Sequence, residues 1–530
     1  MEPPDNEELK NILKRLKSGK SANDIPTAFL KCALHSEEIL DELNRLYRLV
    51  WNTKEIPGKW GLSKLIALWK GASKGKTTDP KAYRGIQIGS SLCKILVIVI
   101  LERLRKWYDS NLLDQQQGFR SGRGTTDGIY IVKRIQQISN LTKKPTYALF
   151  VDLTAAFDHV NRDWLFQSIK NRFPEGHNNN ILFQLLQQLY ANTTTALDGN
   201  PDEIFKTYLG VRQGGPESPF LYNLYMDYVM RVFLLQCEAE QVQFMKLNYA
   251  IPPSATKNGE NNLLGSYGTF QLDWVGYADD LVLAFPDMHN LQRGLAILSK
   301  IFKRFQLSIN VSKTKTMIFS HNENISEYPA TICQLNDETI ENVRIFRYLG
   351  AQISFNEHLI GDTELNLRID TAVNKFYQHG KKFMNHKIRL KTRVNILNSL
   401  VRSRLTFACQ TWTLSARHRD LLNSTYCGML RRMIRNGFKK KEDELSFVYT
   451  NASIYRMCGA EALEEYIRRQ QKRYVAHIIR SDNEAVTKRL TFNSDESHRP
   501  GRTSSLLKSV LHHETQAAAR FFQDAINRKI

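Results

Sequence analysis

The stretch FQLDWVGYADDLVLAF, residues 270–285, limits what this chain can fold into more than any other. The apolar residues on both sides ask for buried strands, yet Asp279 and Asp280 stand side by side between them. A carboxylate buried without a partner costs on the order of several kcal/mol, or takes up a proton. One Asp in a hairpin turn is ordinary. Two in a row, with no glycine after them, are better explained by a cation. Mg²⁺ is held by carboxylate oxygens, commonly together with substrate phosphates. A two-metal site holds its ions roughly 3.5–4 Å apart and needs a carboxylate from a second strand. TYALFVDL, 146–153, is apolar until it reaches Asp152, so a strand buried on both faces is predicted there. If the two strands are neighbours, Asp152 and Asp279 face one another; the spacing alone leaves that pairing open.

What surrounds these segments sets the fold class. Residues 1–50 have helical periodicity, and 52–90 hold many of the glycines and prolines of a loop-and-strand region. SLCKILVIVILERLRKWY predicts a helix over 91–110. Ile131, Ile135 and Ile138 mark one face of another. SPFLYNLYMDYVMRVFLL, 218–235, predicts a helix with Ser218 as its N-cap. Residues 252–268 read as a polar loop. Asp287 can cap a helix whose apolar face is Leu291, Leu295, Leu298, Phe302 and Phe305. TKTMIFS and the segments around 331–354 read as strands, and 362–480 as helical. The class predicted is α+β, a catalytic body followed by an all-α region. A chain of 530 residues should form roughly two to four structural units.

Charge narrows the partners. Lys and Arg number 74 against 53 Asp and Glu, a net of +21. Residues 381–440 hold 15 of those bases and one acid, Asp420, interleaved with aromatic and aliphatic residues. A folded basic surface of this kind favours nucleic acid over a membrane, for which no basic amphipathic anchor stands out. The seven cysteines form no CxxC pair, so reduced intracellular thiols are expected rather than disulfides or zinc. MEPPDNEELK is no signal peptide, and the longest apolar run, ILVIVIL at 95–101, is far short of a membrane span. An intracellular protein, in nucleus and cytoplasm, is expected.

Several segments carry a resemblance in their order. FVDLTAAFDHV, GVRQGGPESPFLYNLYMD, GYADDLVL and VSKTKTMIF are similar to the successive blocks of reverse transcriptases of non-LTR (LINE-type) retrotransposons. WGLSKLIALWKG and DPKAYRGIQIGSSLCKIL resemble the first fingers block, LLDQQQGFRSGRGTTDGI the second, and FRYLG at 346–350 the block after the palm. KRLKSGKSANDIPTAFLK resembles the lead-in region. The resemblance covers about 10–480.

It implies a right-hand polymerase: an N-terminal helical lead-in over 1–50, fingers and palm with an antiparallel sheet over 51–355, a basic helical thumb over 356–450, and a C-terminal helical region of unassigned role over 451–530. It implies RNA-directed DNA synthesis, in which a primer 3′-hydroxyl attacks a dNTP on an RNA template. The implied metal ligands are Asp152, Asp279 and Asp280 for two Mg²⁺ ions, with Mn²⁺ as a substitute, and the Leu153 carbonyl as a further ligand. Phe157 would lie under the sugar and exclude a 2′-hydroxyl, although helical spacing alone reads it as core. Gln213 and Gly214 would pack beside the incoming nucleotide and templating base. Arg84 and Arg120 would contact the triphosphate. Lys313 would protonate or orient the leaving pyrophosphate, with Lys315 as its competitor. The implied partners are the RNA template, a DNA primer or target, dNTPs and the element's own RNA. Trp412 and Phe407 read as core.

Two features depart from full-length elements. No endonuclease domain and no Cys/His knuckle is recognised, and the tail beyond about 482 matches nothing, so a truncated element or a stand-alone polymerase is expected. Two other functions compete. An RNA-dependent RNA polymerase also uses paired Asp in a palm hairpin, but Phe157 and the block order argue against it. A catalytically dead nucleic-acid-binding descendant is disfavoured by the presence of all three carboxylates.

Overall fold

A computed structural model describes residues 2–17, 25–72, 75–109, 111–172, 181–198, 200–253, 266–320, 329–356, 361–434, 438–441, 444–447, 449–494 and 517–528. Parts of the lead-in, the 70–76 basic run and the C-terminal tail lie outside these. The chain divides into two compact units, each discontinuous in sequence. One comprises Met1–Arg123, Asp152–Val242 and Arg293–Asn310; the other comprises Gly124–Val151, Gln243–Gln292 and Val311–Ile530.

In chain order the strands are β1 (Leu62–Trp69), β2 (Tyr83–Ile88), β3 (Thr146–Val151), β4 (Thr194–Leu197), β5 (Asn200–Lys206), β6 (Met245–Ile251), β7 (Ser266–Leu272), β8 (Trp274–Tyr277), β9 (Asp280–Phe285) and β10 (Lys315–Phe319). The hairpins β11–β12 (Thr331–Leu335, Glu338–Glu341), β13–β14 (Ile345–Tyr348, Ala351–Ser354) and β15–β16 (Phe438–Lys441, Glu444–Phe447) follow. With long helices around them, this is the α+β class expected.

The first unit carries the sheet β2-β1-β4-β5. The helix Ser91–Tyr108 packs Ile95, Leu96, Val99 and Ile100 into its interior, and the helix Ser218–Ala239 buries Phe220, Leu221, Leu224, Tyr225 and Met226. Leu182, Leu185, Leu186 and Leu189 complete this apolar interior. Each such side chain contributes about 1.5–3 kcal/mol on burial. Ser218 is not the cap of its helix. It is already helical, Glu217 holds the N-cap position, and the Ser218 hydroxyl donates to the Arg212 carbonyl at 2.6 Å. Pro219 in the first turn costs nothing, because the missing N–H has no partner in the helix there.

The second unit is built on the antiparallel sheet β10-β3-β9-β8. β3 is a central strand, and Ala148, Leu149, Phe150 and Val151 are all buried, which is why its sequence does not alternate. The helix Thr125–Thr142 lays Ile131, Ile135 and Ile138 onto the cluster that contains Ala148, Phe150, Val275, Val282 and Ala284. The C-terminal tail joins the same cluster through Val486, Leu490, Phe492, Phe521, Phe522 and Ala525. Polar contacts fix it there: Tyr130 Oη and Thr491 Oγ1 lie 2.7 Å apart, and Arg134 donates to the Leu490 carbonyl. Among the described residues, these parts of the segment that resembled nothing in sequence belong to this core.

A second cluster binds the basic helical region, with Leu365, Phe376, Leu397, Trp412, Tyr426 and Leu430 at its centre. Trp412 is core, as expected, and Phe407 packs partly buried against Ile129, Ala351 and Ala408. The region is not wholly helical, since β15–β16 interrupts it. All seven cysteines are free thiols. Among the described residues no helix is long and apolar enough to cross a membrane.

Candidate active site

In the second unit, β8 and β9 form a tight hairpin. Tyr277 pairs with Asp280, so Ala278 and Asp279 are the two turn residues and Asp280 opens the returning strand. Two-residue hairpin loops need a positive φ at one central position or both. Here Ala278 supplies it at +59°, where a Cβ carries a steric cost of about 1–2 kcal/mol that glycine would avoid. Non-glycine residues held in this region cluster at functional sites. Gly276 has a separate reason. A Cβ there would lie 2.7 Å from the Trp274 ring and 2.9 Å from Leu281. Asp279 is half-buried and Asp280 exposed, raised on apolar strands whose other residues, apart from half-buried Tyr277, are buried. The pair Val151–Leu281 sets the end of β3 beside the start of β9, and Asp152 is the next residue of the chain. Tyr348, in the β13–β14 hairpin, is buried with a hydroxyl that has no hydrogen-bond partner among the described residues, and burial and the Asp280 charge together hold its pKa above the usual phenol range.

Lys313 is exposed on the turn before β10. Its local competitor Lys315 is committed elsewhere, to Glu341 at 2.8 Å and the Ser312 carbonyl at 2.7 Å.

The first unit holds the remaining candidates. The Asp152 carbonyl accepts from Asn310 at 2.8 Å, and Leu153 bridges to Ile309. Phe157 is half-buried and stacks on Tyr222, with centroids 4.4 Å apart and planes 10° apart. Gln213 donates to both carboxylate oxygens of Asp158 at 3.0 and 3.1 Å, while its carbonyl accepts from Gln87 in β2 at 2.7 Å. Burial raises the Asp158 pKa, and the Gln213 bond opposes it. Gly214 has φ +110°, and a Cβ there would sit 2.8 Å from the Gln87 carbonyl oxygen, so only glycine permits this approach. Phe157, Gln213 and Gly214 are thus brought to one place, beside the strand that carries Arg84, whose side chain is exposed. Glu217, at the end of the same loop, is fully buried with a raised pKa, and accepts from Tyr190 at 3.2 Å.

Arg120 is placed otherwise than expected. Its guanidinium donates to the carbonyls of Leu113, Gln116 and Asp109, closing its own loop. Burial lowers its pKa to about 10. These donors are engaged by the carbonyls of its own loop.

Among the described residues, no three His, Cys, Asp or Glu side chains stand together as a ready metal cage. The Asp279–Asp280 tip still fits a hard cation. Its donors are carboxylates, with no sulfur or imidazole in the motif, and Mg²⁺ in phosphate chemistry uses one or two carboxylates with substrate and water completing the shell.

Sequence reasoning missed Arg162, Asp158 and Tyr222. Arg162 alone left a trace: a cation at the first position of a helix opposes the helix dipole and needs a reason.

The reverse transcriptase (RNA-dependent DNA polymerase) family matches residues 73–353, more than half of the chain. A Drosophila melanogaster protein described as "Probable RNA-directed DNA polymerase from transposon BS" is 24% identical over 89% of this chain and 48% of its own length. A second from that organism, the "Probable RNA-directed DNA polymerase from transposon X-element", is 21% identical over 77% of this chain and 41% of its own. The Pol polyprotein of retrotransposable element R2 from Popillia japonica is 23% identical over 52% of this chain and 36% of its own. The chain therefore spans half or less of the length of these relatives. Among solved structures, apo telomerase from Candida tropicalis aligns over 92% of this chain and 74% of its own, with a TM-score of 0.41 and 12% identity. Candida albicans telomerase in complex with a fragment of telomeric RNA covers 98% of this chain and 74% of its own, at 0.37 and 12%. The family match spans the paired aspartates, the Asp152 strand and the Gln213–Gly214 loop alike, and by it this chain belongs to the reverse transcriptase (RNA-dependent DNA polymerase) family.

Proposed function

We propose that this chain is the RNA-directed DNA polymerase of a non-LTR retrotransposon, extending a primer 3′-hydroxyl with dNTPs on an RNA template. The observation that carries the reading is the strained β8–β9 turn, which lifts Asp279 and Asp280 from an apolar sheet one register step from the end of β3. Asp152 and Asp279 would hold two Mg²⁺ ions, with Asp280 as the less direct member and the Leu153 carbonyl as a further ligand; Mn²⁺ would substitute. Bound there, the ions would neutralise charge on the attacking and leaving oxygens. Phe157 acts as the floor under the sugar, Gln213 and Gly214 border the base, Arg84 reaches the triphosphate, and Lys313 protonates or orients pyrophosphate. Positioning and charge neutralisation supply most of the rate.

The lead-in is residues 1–50, fingers and palm 51–355, the thumb 356–450, and the C-terminal region 451–530. The basic thumb grips template–primer phosphates. The partners are the element RNA as template, a DNA primer or target and dNTPs, within nucleus and cytoplasm. The test is extension of a DNA primer on an RNA template with Mg²⁺ and either dNTPs or rNTPs. Extension with dNTPs that Asp279→Asn abolishes supports the reading. Extension with rNTPs alone, or salt-sensitive binding with no extension, overturns it.

A further inference from the structure

Arg162 is the most heavily engaged side chain near the Phe157–Gln213 cluster, and the chemistry proposed above gives it no role. It is the first residue of the helix Arg162–Lys170, where the dipole disfavours a cation. Among the described residues it has no carboxylate partner. Nε donates to the Gly210 carbonyl at 3.0 Å, and Nη1 to the carbonyls of Tyr190 and Thr207 at 3.1 and 2.7 Å and to Thr193 Oγ1 at 2.9 Å. Nη2 donates to Thr207 Oγ1 at 3.3 Å and to the Leu209 carbonyl at 3.1 Å, and the guanidinium lies 5.1 Å from the Tyr190 ring centroid. All the hydrogen-bond acceptors are neutral backbone or hydroxyl oxygens.

Three of the carbonyls, those of Thr207, Leu209 and Gly210, belong to the strand of chain that leads into Gln213 and Gly214. Beyond them the same strand continues along the Phe157 segment. Gly210 donates to the Val160 carbonyl at 2.8 Å and Val211 to the Phe157 carbonyl at 2.9 Å, before Gln213 reaches Asp158. Gly210 has φ +79°, and a Cβ there would lie 2.8 Å from the Asp158 carbonyl oxygen, so the two strands are in closest approach at that point. The fork geometry of a guanidinium can hold several carbonyls at fixed angles; an ammonium cannot. Arg162, five residues after Phe157 on the same segment of chain, therefore ties that segment to the one that leads into Gln213.

We propose that Arg162 is a positioning residue for nucleotide selection, setting the gap between the Phe157 ring and the Gln213–Gly214 loop, and so the discrimination between deoxy- and ribonucleotides. This rests on the polymerase reading above. It touches no substrate; it acts through the two backbones.

The test uses the full chain with Arg162→Lys, and with Thr207→Val as a milder change that removes one acceptor hydroxyl and leaves the arginine. Two quantities are read: hydrogen–deuterium exchange at the Gly210 and Val211 amides, and kcat and KM for each dNTP and rNTP. The expected result is faster exchange at those amides with the helix Ser218–Ala239 unchanged. KM for dNTPs should rise about 10–100-fold with kcat nearly constant, and dNTP over rNTP preference should fall. Thr207→Val should shift the same quantities less. Unchanged amide exchange in Arg162→Lys overturns the clamp. Faster exchange with sugar discrimination intact overturns its role in selection. A wild-type protein that extends no primer overturns the polymerase reading itself, and that failure is seen before either variant is made.

Discussion

Removing Arg368 should destabilise the second unit by about 3–5 kcal/mol, the usual cost of leaving one member of a buried ion pair alone. Glu364 and Arg368 lie one turn apart on the helix Asp362–Gln378, and they are 1% and 7% exposed. Arg368 Nε donates to the Glu364 carboxylate at 2.7 Å, while the other carboxylate oxygen accepts from the Gln352 amide at 2.8 Å. Arg368 also donates to the Gly350 carbonyl, and its guanidinium lies 4.6 Å from the Phe407 ring centroid. This pair ties the turn after β13, where Gly350 has φ +86°, to the helical region. In Arg368→Met the methionine keeps apolar contact with Phe407, but Glu364 remains buried without its cation and Gly350 loses its donor. In Glu364→Gln/Arg368→Met the glutamine oxygen can still accept from Gln352 and no charge is stranded. The double variant should therefore recover more than half of the single variant's loss. The assay is urea unfolding at low and high salt, with exchange at the Gln352 amide as a local reading. A buried pair is weakly screened, so the loss should persist at about 1 M salt. A loss below about 1 kcal/mol for Arg368→Met, or a double variant less stable than the single, would refute the reasoning.

Phe157→Ala removes the ring that stacks on Tyr222 at 4.4 Å, and should raise ribonucleotide incorporation in primer extension; unchanged sugar discrimination would refute the role. Burial raises the Glu217 pKa, so the folded state keeps a proton that the unfolded chain has already released, and wild-type stability falls as pH rises above the ordinary glutamate value. Glu217→Gln has no such proton, and its unfolding midpoint should gain on wild type from acid to neutral pH; a constant difference would count against this. Phe522→Ala should cost about 3 kcal/mol in urea unfolding, because the ring is buried in the same cluster as Phe150, and an effect within about 0.5 kcal/mol would show that the tail is not part of that core.

The segments visible in sequence are those whose chemistry is local. YADD announced a carboxylate hairpin because two like charges among buried residues need a cation. TYALFV announced a central strand because a strand covered on both faces loses its alternation. Asp287 caps its helix through the Asn290 amide as the local rule predicts. Ser218 was misjudged because its hydroxyl is drawn to the Arg212 carbonyl, six residues back in a loop whose path the helix pattern does not encode. The type and motif of Arg120 are legible, whereas which carbonyls its guanidinium meets is decided by the path of its loop. The tail beyond 482 was silent because a few aromatics separated by polar residues have no periodicity; their meaning is the shared cluster with β3.

By itself, then, the sequence determined the class, the order of the blocks, the acidic tip and the basic excess, since each follows from composition or near neighbours along the chain. Tertiary structure alone decided that Ala278 rather than an aspartate takes the left-handed turn position, that Lys315 is tied to Glu341, and that one arginine holds three carbonyls of a loop 45–48 residues away. Those depend on where distant backbones leave their carbonyls and carboxylates, and no local pattern specifies that.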